Sequence, residues 1–143
     1  AERSRASDLL EEALTESRRI SGSDQDRARA LTAVAAGFAD IDPVRGWETL
    51  SEVVKAANSA ESFTGEDSQI SSQLQTAQMV VATNATAEDF DLLTVFRLVS
   101  RADLLRSIQI AKGFTGETPR AVATLAIAQS VLERREQLAS GPN

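Results

Sequence analysis

Apolar residues recur at steps of three and four along most of this chain, the spacing that gathers them on one face of a helix. Ala6, Leu9, Leu10, Ala13, Leu14 and Ser17 make such a face and predict a first helix over about residues 4–19. Glu11, Glu12 and Glu16 fall on the other side, and Arg18 and Arg19 close the last turn, where cations suit the helix dipole. A second helix runs to about residue 39 with Ala30, Leu31, Val34 and Phe38 inward, and Ser23 with Asp26 resembles its capping box. Asp42-Pro43 is the strongest start signal in the chain: Asp caps, and Pro fits the first helical position because its missing N–H would be unpaired anyway. The third helix follows, with Trp47, Leu50, Val53, Val54 and Ala57 on one stripe.

The second half continues the pattern less evenly. A fourth helix is expected over about residues 65–83, capped by Thr64 and Asp67. Its apolar face (Ile70, Leu74, Ala77, Val80, Val81) is diluted by Gln, Ser and Thr. Thr86 with Asp89 is the expected cap of a fifth helix burying Phe90, Leu93 and Phe96, with Leu92 and Val99 beside them. Ser100 with Asp103 is the expected cap of a sixth, using Leu104, Leu105, Ile108 and Ala111 and stopping near Gly113. Thr118-Pro119 repeats the cap-plus-Pro signal and opens a seventh helix to about residue 137. The reading is one all-α domain over residues 1–143, of about seven helices in stacked antiparallel hairpins, either α-solenoid-like or a compact helical bundle.

One unit is written twice. Arg27-Ala28-Arg29-Ala30-Leu31-Thr32-Ala33-Val34-Ala35 reappears as Arg120-Ala121-Val122-Ala123-Thr124-Leu125-Ala126-Ile127-Ala128, an offset of 120 − 27 = 93. Each copy follows a short polar turn, and each turn follows a helix that carries Asp-Leu-Leu, at Asp8-Leu9-Leu10 and Asp103-Leu104-Leu105. Leu50, Glu52, Val53 and Val54 also mirror Leu10, Glu12, Ala13 and Leu14 at a spacing of 40. A repeated unit that cannot bury its apolar face alone must stack on neighbours. The second-helix pattern resembles that of HEAT-type helical repeats, which carry a turn acid, then Arg, then an Ala/Leu-rich inner helix. The resemblance covers about half the chain and departs in the middle, where Leu50 to Leu105 is 55 residues. It implies a scaffold or partner-binding surface and carries no catalytic residues over.

Composition narrows the chemistry. The chain has neither His nor Cys, so the commonest general base, the commonest metal ligand and the cysteine nucleophile are all missing. Apolar residues make up 42% and aromatic ones only 4%, which predicts thin, Ala-rich helix contacts. The net charge of −6, with no basic patch, argues against nucleic acid, and no apolar run is long enough for a membrane span. Glu88, Asp89 and Asp91 cluster where a helix dipole alone favours carboxylates, so no metal or other cofactor is expected. The glycines of Gly113-Phe114-Thr115-Gly116 and Gly22 follow no strand, which removes a phosphate-loop reading.

The expected function is a non-catalytic protein–protein interaction or scaffold module, with no enzymatic activity. Arg27, Arg120 and Trp47 are the candidate partner-binding residues. The two arginines either form a groove that grips carboxylates or bond a turn acid or carbonyl and lock successive units. Trp47 is either an exposed anchor or a packing residue between the third and second helices. The alternative function is a helical protein enclosing a small apolar ligand among Trp47, Phe63, Phe90 and Phe96; a cavity of a few hundred Å³ lined by these rings would favour it. A third reading, hydrolysis by paired carboxylates, needs two acids facing each other in a cleft. The seventh helix spreads Val122, Leu125, Ile127, Val131 and Leu132 over more than one stripe. A helix apolar on two sides needs partners on two sides, so this helix is expected to sit centrally, to form a homo-oligomer, or to pack on a following domain.

Overall fold

A computed structural model describes residues 1–65, 69–76, 79–86 and 90–140. Helices build the core: α1 (Glu2–Arg19), α2 (Gln25–Ile41), α3 (Pro43–Ser59), α4 (Leu92–Ala102), α5 (Leu104–Ala111) and α6 (Glu117–Ser140). Between α3 and α4, strands β1 (Gln69–Thr76) and β2 (Met79–Thr86) pair antiparallel, in register from Gln69 opposite Thr86 to Thr76 opposite Met79.

Aspartates punctuate the helices. Asp24 opens α2 by accepting from the Asp26 N–H at 2.9 Å, and Asp91 opens α4 by accepting from the Leu93 N–H at 2.8 Å. Asp42 and Asp103 each end one helix and begin the next, with nearly the same backbone angles (φ −149°, ψ 84° and φ −151°, ψ 96°). Their carboxylates accept from the N–H groups of Arg45 (3.3 Å) and Arg106 (3.1 Å), satisfying donors that have no partner inside the helix. Pro43 fills the first position of α3 as its sequence context requires. The caps expected at Ser23 and Ser100 fall elsewhere: Asp24 caps α2, and Ser100 lies inside α4, its hydroxyl bonded to the Phe96 carbonyl.

α2 lies at the centre, packed along its length on α3 and flanked by α1 and α4. α6 packs on α4 and, less extensively, on α5. The core combines buried alanines (Ala28, Ala35, Ala56, Ala123, Ala126) with fully enclosed Phe38, Phe96 and Phe114, so it is thicker than the low aromatic content predicts. Phe96 and Phe114 meet as tilted rings 6.0 Å apart. α1 is more lightly seated than its pattern predicts: Leu14 and Ser17 are buried, but Leu9 is exposed. Leu105, also expected inward, is exposed on the surface of α5.

The helix expected over residues 65–83 is not formed; β1 and β2 occupy most of that span. Ile70, Ser72, Leu74 and Thr76 alternate with Gln69, Ser71, Gln73 and Gln75, a period of two that suits a strand although few of the residues favour one. The fifth helix starts at Leu92 instead of near Thr86, which belongs to β2, while Glu88 and Asp89 lie outside the described residues. Gly65 meets the start of α4, its carbonyl accepting from the Leu92 N–H at 3.2 Å, and its φ of +80° is a conformation that glycine adopts without steric cost. A Cβ there would sit 2.5 Å from Leu92 Cδ1.

Candidate functional site

The two repeated arginines occupy matching places. Arg27, in the first turn of α2, donates from Nη1 to the Ile20 carbonyl at 3.4 Å. Arg120, in the first turn of α6, donates from Nη1 to the Phe114 carbonyl at 3.2 Å. Each reaches back over its turn and holds the chain that enters it, the locking arrangement of the two weighed from sequence. The end of α3 ties both turns to each other. Asn58 donates to the Gly113 carbonyl (2.9 Å) and accepts from the Thr115 N–H (2.9 Å), while the Glu61 N–H donates to the Ser23 carbonyl (3.3 Å).

Arg27 also lines a cleft of about 440 Å³ between α1, α2 and α3, together with Arg18, Gly22, Leu31, Glu52, Lys55, Ala56 and Ser59. Arg18 is committed to one wall: its guanidinium forks onto the Glu52 carboxylate, which raises its pKa. A second tie between α1 and α3 is the paired bond from Arg45 to Glu11 (2.7 and 2.6 Å), with Glu48 on the same guanidinium at 2.8 Å. That bonding holds the Glu11 carboxyl below its ordinary 4.5. These charge pairs, separated by 34 residues in sequence, carry no spacing signal from which they could have been read.

Trp47 is a packing residue. The residue is 7% exposed, with the Arg106 guanidinium 4.7 Å from its ring centroid. Of its two expected places, exposed anchor or packing between helices, it takes the packed one, since an anchor must present its ring to solvent. The cavity beside it, shared with Pro43, Gly46, Leu98 and Ala102, is about 50 Å³. Phe63 and Phe96 are buried and Phe90 is half-buried. Of the acidic cluster near the start of α4, Asp91 serves as the helix cap. No group of three or more acids converges among the described residues.

α6 is apolar on two sides, as its pattern predicts, and the two sides differ. Val122, Ala123, Ala126, Ile127 and Ser130 are buried against the helices beneath. Glu133 pins the same side to α4 by accepting from Arg97 and from Arg101 (3.1 Å). Bonds from Arg101 and Arg97 hold the Glu133 carboxyl below 4.5. Leu125 (52% exposed), Val131 (44%), Leu132 (57%) and Leu138 (78%) face outward. Of the five residues whose spread predicts a second partner for this helix, Val122 and Ile127 are therefore buried in the chain's own core, and Leu125, Val131 and Leu132 remain available. The helix lies against α4 and α5 rather than at the centre, which α2 occupies. Among the described residues no helix is long and apolar enough to cross a membrane.

Comparison of the chain with protein-family models, with curated proteins and with solved structures gives no match.

Proposed function

We propose that this chain is a non-catalytic protein–protein interaction module, a scaffold in which helix-turn-helix units hold α6 with one face buried and the other presented to a partner. The outward-facing residues Leu125, Val131, Leu132 and Leu138 carry this reading. Scattered exposed apolar residues are ordinary, but four large ones on the outer side of one helix, Leu125 and Leu132 on one stripe with Val131 and Leu138 beside it, are the kind of patch that marks a contact surface. A sequence without His or Cys and the resemblance to HEAT-type repeats add to it. The apolar-ligand reading draws less support, since Trp47, Phe63 and Phe96 are spent on packing and the cavity beside Trp47 is about 50 Å³.

The test uses a fluorescent amphipathic peptide of three Leu/Ala heptads as a probe, at protein dilution that keeps the chain monomeric. The reading predicts binding to the natural chain and loss of binding, by a factor of roughly 100, in Leu125→Glu/Leu132→Glu with unchanged helix content. Equal binding to both proteins, or binding to neither, would overturn it.

A further inference from the structure

We infer that the partner seated on α6 is a second copy of this chain, paired antiparallel about a two-fold axis. This rests on the docking role of α6 proposed above and adds the identity and direction of the occupant.

The outward face has its own repeat. Ala121, Leu125, Ala128, Leu132, Arg135 and Ala139 are all exposed and follow one another at alternating steps of four and three. Steps averaging 3.5 residues keep a seam facing a neighbouring helix along its whole length. The buried face of α6 is a separate stripe, so the seam costs the fold nothing to present.

One charge in the seam sets direction. Arg135 takes a seam position near the end of α6, and Glu117 stands at its start; both are exposed, and neither pairs with another described residue. In a parallel pair, Arg135 would meet its own counterpart in the same layer, a like-charge clash. In an antiparallel pair the seam aligns residues whose numbers sum to 253. Leu125 then lies opposite Ala128 of the other copy and Leu132 opposite Ala121, large against small in each layer. Arg135 lands beside Glu117 of the other copy, because 253 − 135 = 118 is the next residue. The two-fold axis makes that ion pair twice, and the opposed helix dipoles add to the preference. The seam is thus complementary to itself in size and in the charge it carries, with Glu136, numerically opposite Glu117, kept about 100° away on the other flank of the helix, and a second copy satisfies both.

Sedimentation equilibrium tests this on the full chain. The natural protein is expected to dimerise. Glu117→Arg or Arg135→Glu alone should weaken the dimer about tenfold, and the two together should restore it to within about twofold. Circular dichroism checks that α6 stays helical in each. Single variants without effect, or a double variant no tighter than the singles, would overturn the antiparallel pairing. A natural chain that stays monomeric yet binds the heptad peptide would refute the second copy as occupant while leaving the docking surface standing. A monomer that also fails to bind the peptide would remove both.

Discussion

α2 and α6 begin from the same nine-residue pattern and end in different surroundings. In α2, Ala28, Leu31, Thr32, Ala35 and Phe38 are buried, because α1, α3 and α4 close around that helix. The residues 93 positions later in α6, namely Ala121, Thr124, Leu125, Ala128 and Val131, are all exposed. The positions that face the neighbouring helix in both copies stay buried: Val34 matches Ile127, and both lie in the core. A shared pattern therefore fixes one inner face and the arginine that locks the turn. Whether the second face is buried depends on how many helices stack against it. The first copy has α1 and α3 on either side. The second has only the 8-residue α5 before it and no helix after it among the described residues.

The largest expected effects come from paired truncations at matching positions. Phe38→Ala should cost about 3–5 kcal/mol, since Phe38 is wholly enclosed. Val131→Ala, its counterpart, should cost under about 0.5 kcal/mol in the monomer. Urea denaturation followed by far-UV circular dichroism measures both at concentrations that keep the chain monomeric. Similar costs would mean that α6 is enclosed as α2 is, and the contrast would collapse.

The turns give a smaller test. Arg27→Ala and Arg120→Ala each remove one bond to a turn carbonyl and should cost about 1 kcal/mol, nearly equally in the two copies. Asn58→Ala should break that symmetry. It frees the Gly113 carbonyl and the Thr115 N–H in the second turn only, so Thr115 amide exchange should quicken while that of the first turn does not. Equal quickening in both turns would show that the end of α3 ties them less directly than its bonds imply.

The smallest effect is electrostatic. Glu133 and Glu11 have pKa values below their ordinary 4.5, because their ionised forms accept from arginines only in the folded chain. A group whose pKa falls on folding adds stability above its unfolded value and loses it as pH drops through the folded one. Stability should therefore decline below about pH 4.5, and Glu133→Gln should flatten part of that decline by loosening α6 from α4. A pH profile of the midpoint in urea, the same in both proteins, would show that the pair adds nothing.

Much of the helical part was legible in sequence because its signals are local. Asp42-Pro43, the inward stripe of α3 and the two locking arginines all follow from residues within two turns of one another. What escaped depends on distant partners. The hairpin of β1 and β2 competes with a diluted helical face, and its strands are stabilised by each other rather than by anything either contains. Leu9 and Leu105 fit their stripes but stay largely exposed. The Asn58 bonds join residues 55 and 57 apart, and Arg97 meets Glu133 across 36, spacings that no periodicity encodes. For Trp47, a place on the inward stripe of α3 says more than residue type, and the residue lies in the core.

The outward face of α6 as a self-complementary seam is the central claim, and one distance tests it. The chain has no cysteine, so Gln137→Cys offers a single site for a spin label, at an exposed position across the helix from the seam. Antiparallel pairing offsets the two labels by 21 residues, giving a separation of about 35 Å from a 1.5 Å rise and ordinary interhelical spacing. That distance, lost in Leu125→Glu/Leu132→Glu, is the predicted result. A separation of about 20 Å would mean parallel pairing, and no dipolar coupling at concentrations where dimer is expected would contradict the account.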